Sequence, residues 1–218
     1  MSSSPPHITV KFHGEHIDTT VTASAFVVDR WVANVLHKYK SELPNLIVGL
    51  DTEWYLPREQ GDQYHKVDTK GNNHYKVAII QLCVHNTCLI YKLCHTWRIP
   101  QSLITFLGNK DFTFVGKGVE DDARRLYKDY ELYVANTRDV ADWAASVYDD
   151  ANLERMGLKN LVLKFLDKEL EKPRRIILSR WDATLLTSRQ IQYACIDAFV
   201  SFELGFYLSQ KSGVTVAS

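Results

Sequence analysis

The stretch Leu46-Ile-Val-Gly-Leu-Asp-Thr-Glu-Trp54 constrains the fold more than any other. Leu46, Ile47, Val48 and Leu50 form a short, nearly unbroken apolar run. A run of that length reads as a strand buried on both faces, as in a largely parallel sheet. Asp51 and Glu53 follow at its C-terminal end. Side chains two apart on a strand share a face, so these carboxylates aim at one place. Open α/β sheets put their sites at the carboxyl ends of strands. Two like charges held close repel, and burying either is costly without a partner. A divalent cation is the simplest partner. A strand that merely ends in solvated acids is the competing reading, and the rest of the chain has to decide between them.

The remaining pattern predicts alternating elements. Residues 1–6 read as a loose tail. His7–Phe12 and Ile17–Thr22 alternate apolar and polar about Gly14, which predicts a hairpin. Val28, Trp31, Val32, Val35, Leu36 and Tyr39 follow helical spacing, so 25–41 reads as an amphipathic helix. Residues 55–75 are polar, with Pro57, Gly61 and Gly71, and read as a long loop. Strands are predicted over 76–84, 87–93 and 112–115, and helices from Pro100, over 119–130, 137–147 and 152–166. Residues 167–180 are charged and read as loop. Thr187 and Gln190 have capping-box spacing and fix the start of a last helix reaching about Leu208. The outcome is α/β with a mixed central sheet flanked by helices. Residues 1–45 are expected to pack on the same domain as 46–210, and 211–218 to form a tail.

The 218 residues carry 26 Lys+Arg and 26 Asp+Glu, a formal net charge of zero. Proteins that coat nucleic acid carry a basic excess, so that class is disfavoured. An enzyme that holds a few nucleotides at a strand end is not. Cys83, Cys88, Cys94 and Cys195 form no CxxC pair and read as reduced, packed thiols. The start has neither a signal core nor a transit pattern, and no apolar run approaches the roughly 20 residues of a membrane span. The expected address is intracellular, nucleus or cytoplasm, with no membrane.

Two further elements bring acids to the same edge. The last helix is apolar nearly all round and carries Tyr193 and Asp197 one turn apart on one face. Asp197 is the only acid between Thr184 and Phe202, so it should be buried or near-buried and must have a partner; taken alone, an internal hydrogen bond or salt bridge is a better reading of it than a metal site. Gly116-Lys-Gly-Val-Glu-Asp-Asp122 joins a buried strand to a helix. Its acids sit in the helix's first turn, where the macrodipole alone would favour them. Four carboxylates, Asp51, Glu53, Asp122 and Asp197, on three elements suit Mg²⁺ or Mn²⁺. His and Cys are absent from the set, which speaks against zinc. Two such ions roughly 4 Å apart would clamp a scissile phosphate.

Asp51-x-Glu53, Asp122 and Tyr193-x-x-x-Asp197 together resemble the three motifs of the DEDD (DnaQ-like) 3′–5′ exonucleases, and the tyrosine matches the DEDDy subclass. Lys76-Val-Ala-Ile-Ile-Gln-Leu-Cys83, Gly116-x-Gly-Val-x-x-Asp122 and Leu186-Thr-x-x-Gln190-x-x-Tyr193-Ala-x-x-Asp197-Ala are similar to the group holding the Werner syndrome protein exonuclease domain and its plant relatives. The likeness spans about 46–208. It departs at Asp121, where relatives usually carry a small residue, at Asp167, where glycine is common, and at Leu185, where proline is. The resemblance implies a ribonuclease H-like fold and a metal-dependent 3′–5′ exonuclease that releases nucleoside monophosphates from DNA or RNA with two Mg²⁺ or Mn²⁺ ions. It implies that Asp51 bridges both ions, Glu53 and Asp197 complete one, Asp122 holds the second and Tyr193 orients the attacking water. Thr52 and Trp54 would touch the terminal nucleotide, and Lys117, Arg124 and Arg125 are candidate phosphate contacts. The rival is a non-catalytic relative that binds nucleic acid or serves as an oligomeric scaffold. A homo-oligomer through the N-terminal hairpin and helix is compatible with the pattern.

Overall fold

A computed structural model describes residues 7–57 and 75–212. The expected tail at 1–6, most of the loop over 55–75 and the tail beyond 212 lie outside the described residues. Seven strands form one mixed sheet in the order β1-β2-β5-β4-β3-β6-β7. They are β1 (His7–Phe12), β2 (Glu15–Thr22), β3 (Ile47–Tyr55), β4 (Lys76–Val84), β5 (Thr87–Tyr91), β6 (Thr113–Gly116) and β7 (Thr137–Asp139). The first two are an antiparallel hairpin turning at His13 and Gly14, both at positive φ. Strand β2 then joins β5 in parallel, so the hairpin forms one edge of the common sheet. At the centre β3 pairs antiparallel with β4 and parallel with β6.

Helices cover both faces. They are α1 (Ala25–Lys38), α2 (Gln101–Leu107), α3 (Val119–Tyr130), α4 (Val140–Tyr148), α5 (Leu158–Leu166), α6 (Arg174–Ile177) and α7 (Ser188–Lys211). Strand β3 shows why the layers form. Leu46, Val48 and Leu50 pack with α1, α2 and α3 on one face. Ile47 packs with α4, α5 and α7 on the other. The period of two that divides apolar side chains between two cores also sends Asp51 and Glu53 toward α7, and Thr52 toward α3.

Gly49 decides how close α7 comes. A Cβ there would lie 2.0 Å from the Ala198 carbonyl oxygen and 2.7 Å from the Phe202 nitrogen. Only a residue without a side chain lets the α7 backbone rest on the strand at this point. Asp197 and Asp51 flank that contact.

Three boundaries differ from the sequence pattern. Residues 137–139 are a strand parallel to β6, and the helix begins only at Val140. Asp139 caps it, accepting from the Ala141 amide. The helix expected over 152–166 breaks at Met156-Gly157 into a 3₁₀ turn, Ala151–Arg155, and α5. The 167–180 stretch contains the short helix α6, begun by Pro173. Asp167 ends α5 in the left-handed region, at φ +52. Glycine adopts that conformation without steric cost, so the glycine that the resemblance leads one to expect here would suit the position.

Candidate active site

The capping box that Thr187 and Gln190 predict is formed, and it fixes the start of the 24-residue α7. Gln190 also donates to Ser179 Oγ at 3.0 Å and to the Arg180 carbonyl at 3.1 Å. Buried Leu170 and Trp181 bracket the intervening segment. The chain from 170 to 181 is thereby held against the first turns of α7, beside Tyr193.

Asp51 and Glu53 from β3 meet Asp197 from α7. Ligand oxygens of the three lie within 4.8 Å of one another. Asp197 is 1% exposed. Its Oδ2 is paired with the Lys172 ammonium. Its Oδ1 is buried without a hydrogen-bond partner among the described residues. A buried carboxylate oxygen left unpaired costs on the order of 1–3 kcal/mol, more when charged. Burial drives the Asp51 carboxyl well above the usual range, and the charges of Asp197 and Asp122 add to it. Glu53 is pushed up to about 10 by burial and by Asp51 and Asp197. Burial raises Asp197 too, against the opposing pull of Lys172. Burial and mutual repulsion thus favour protons on the trio, and a bound cation would take their place.

Lys172 was not among the residues singled out from sequence. Its ammonium also donates to the Tyr193 hydroxyl at 3.3 Å and lowers the carboxyls of Asp51 and Glu53. Burial of Asp197 requires a partner, but no spacing in the sequence names Lys172 as that partner. The only local signals are a lysine ahead of Pro173 and the buried Leu170 beside it. Tyr193 lies against Trp181, ring centroids 6.0 Å apart. Burial and the carboxylate of Asp197 raise its hydroxyl above the ordinary value, so it stays protonated.

Asp122 stands apart from the trio. It is buried in the first turn of α3, where its carboxylate accepts from Thr52 Oγ1 at 2.5 Å. Thr52 in turn accepts from Trp54 Nε1 at 2.8 Å. Burial pushes Asp122 up to about 6, while the Thr52 hydrogen bond and the Arg125 charge hold it down. Its charge still reaches Asp51 and Glu53 across β3. Neighbouring Asp121 is exposed and pairs with Arg124, so Asp122 is the inward carboxylate of the cluster. Arg125 lies 4.0 Å over the Trp54 ring, which leaves Trp54 partly exposed and its ring fixed. Lys117 is tied to Asp139 at 3.1 Å. Asp139 also accepts from the Gly118 amide at 2.6 Å, pinning the turn that leads into α3.

The fold and this acidic site define a class, and comparison with known proteins agrees with it. A family model described as 3′-5′ exonuclease matches residues 32–212. This chain belongs to that family. A 3′-5′ exonuclease of Arabidopsis thaliana is 33% identical over 171 residues, 78% of this chain and 55% of the relative. The bifunctional 3′-5′ exonuclease/ATP-dependent helicase WRN of Mus musculus is 30% identical over 171 residues, 77% of this chain and 11% of the relative. The chain therefore spans about half the length of the plant relative and a small part of the mouse one. Escherichia coli RNase D superposes with a TM-score of 0.68 at 16% identity, over 91% of this chain and 46% of that one. The catalytic core of RRP6 from Trypanosoma brucei gives 0.66 at 15% identity, over 94% and 50%. The shared fold is ribonuclease H-like. Among the described residues no helix is long and apolar enough to cross a membrane.

Proposed function

We propose that this chain is a metal-dependent 3′–5′ exonuclease that shortens nucleic acid from its 3′ end and releases nucleoside monophosphates. The observation that carries the reading is the Asp51–Glu53–Asp197 trio with its orphaned Asp197 oxygen, in a chain of the 3′-5′ exonuclease family. The donor set fits the implied cation. It is all carboxylate oxygen, which suits Mg²⁺ or Mn²⁺.

In this reading Asp51, Glu53 and Asp197 would hold one ion, and Asp51 with Asp122 would hold a second. When bound, such ions supply positive charge at the phosphate and lower the pKa of a bound water. The chain's own groups do the rest. Tyr193, protonated and one turn before Asp197, directs a water toward the scissile phosphate. Lys172 neutralises the trio until the cation arrives. Thr52 holds Asp122 in position, and Trp54, fixed by Arg125, offers a stacking face to the terminal base. Lys117, through Asp139, steadies the turn that delivers Asp122. Residues 46–210 would be the exonuclease domain, with the hairpin and α1 as an extension on the same sheet.

A gel of 5′-labelled DNA and RNA strands with Mg²⁺, Mn²⁺ or EDTA tests this. A ladder of 3′-shortened products should appear only with metal. Asp51→Ala should slow it by at least about a hundredfold, the loss typical of removing one preorganised electrostatic group. Intact label in every lane, from folded protein, would sink the enzyme and leave the scaffold reading.

A further inference from the structure

A cleft of about 660 Å³ reaches the trio at Asp197. Tyr193 and Asp197 close one end. Its floor is apolar, with Phe12, Leu170 and Ile196. One wall is the turn of the N-terminal hairpin, a second is the 169–176 segment, and the third is the first two turns of α7. His13 Nε2 lies 3.0 Å from the Glu169 carbonyl oxygen, so the hairpin turn and the opposite wall are hydrogen-bonded together. The hairpin lies outside the residues that match the family model, which begin at 32.

Each wall carries a cation. Lys11 sits on the hairpin, Arg175 on α6 and Arg189 on α7, all exposed. None of the three forms an ion pair among the described residues. Glu169, Glu171 and Asp197 also line the cleft; Asp197 is already paired with Lys172, so the three unpaired cations face two remaining acids. Arg189 is the most telling. It stands in the first turn of α7, where the macrodipole disfavours a positive charge and no acid offsets it. A cation kept at a local cost, unpaired and facing a cleft, points to an anionic ligand.

We propose that this cleft seats the sugar–phosphate backbone of the strand whose 3′ end lies at the trio, with Lys11, Arg175 and Arg189 contacting the phosphates upstream of the scissile one. This rests on the exonuclease reading. A space of this size takes a ligand of a few rings, which here means one or two nucleotides of a single strand. The hairpin thereby acquires a function, as a wall of the substrate channel.

The test is binding without turnover. A 5′-fluorescent single-stranded oligonucleotide with a free 3′ end is titrated in EDTA across a salt series, using the full chain and Lys11→Ala/Arg175→Ala/Arg189→Ala. Each lost phosphate contact should flatten the slope of log K against log salt by about 0.7. The triple variant should thus lose about two units of slope and bind weakly at low salt, with its melting temperature kept. If the triple variant fails to fold, Arg189→Ala alone carries the test and should lose about 0.7. Unchanged affinity and slope would overturn the channel. Metal-dependent shortening by the native chain is read in parallel. If it persists while the slopes match, the channel alone fails; if it is absent, the exonuclease reading fails and the channel with it.

Discussion

Lys172 sets an ammonium against a carboxylate that is almost wholly buried. In the metal-free chain it supplies the only positive charge that the trio touches among the described residues. A cation bound by Asp51, Glu53 and Asp197 has to displace it or share Asp197 with it. Lys172→Met keeps most of the side-chain volume and removes the charge. The metal-free protein should lose about 1–3 kcal/mol, less than for a fully buried pair because Lys172 is 28% exposed. Divalent binding should tighten by roughly tenfold, about 1.4 kcal/mol, since no ammonium competes. Thermal melts without metal and calorimetric titration with Mn²⁺ read the two effects separately. Weaker metal binding in the variant would mean that Lys172 supports the ion instead of standing in its place. At this scale the sequence was legible where spacing encodes geometry. Asp51 and Glu53 share a strand face, and Tyr193 and Asp197 share a helix face. Lys172 was not legible, because its meeting with Asp197 depends on how a stretch without periodicity folds over α7.

At the scale of elements, the site depends on two backbones pressed together. Helix α7 lies on β3 at Gly49, and that contact brings Asp197 to Asp51. Gly49→Ala would put a Cβ 2.0 Å from the Ala198 carbonyl. No rotamer relieves a clash with backbone, so the helix must move. Overpacking of this kind costs about 1–3 kcal/mol, with the upper end expected here. The melting temperature should fall by several degrees, roughly 2–4 °C per kcal/mol for a domain of this size. Metal affinity should fall with it, because the trio is spread. A variant that melts like the native chain and binds Mn²⁺ equally well would show that α7 is not set by this contact. The same scale explains the boundary misses. Thr137–Asp139 forms a strand because β6 offers it a parallel edge, which the local pattern does not encode. Residues 152–166 carry one apolar stripe, yet Gly157 interrupts the helix beneath it. The glycine at 49 was visible in sequence, but its meaning required knowing that Ala198 lies over it.

For the whole molecule, the trio makes stability depend on pH and metal together. Glu53 rises from an ordinary 4.5 to about 10 in the folded chain, and Asp51 and Asp197 shift the same way. Below about 4.5 both folded and unfolded chains hold the Glu53 proton, and the group contributes no penalty. Between that value and about 10 the unfolded chain releases the proton while the folded chain keeps it. The folded state then binds more protons, so stability falls as pH rises through this window. Asp122, raised to about 6, acts in the same sense at the lower end. Metal binding needs the carboxylates ionised and so displaces these protons. The metal-free melting temperature should therefore decline from about pH 5 to about pH 9, and the increment from added Mg²⁺ or Mn²⁺ should grow over the same range. Glu53→Gln, neutral at every pH, should flatten the metal-free decline and shrink the metal increment. Melts of both proteins at several pH values, with EDTA or Mn²⁺, decide the matter. A metal increment independent of pH, or one retained in full by Glu53→Gln, would place the cation away from the trio and return the buried carboxylates to a purely structural role with Lys172.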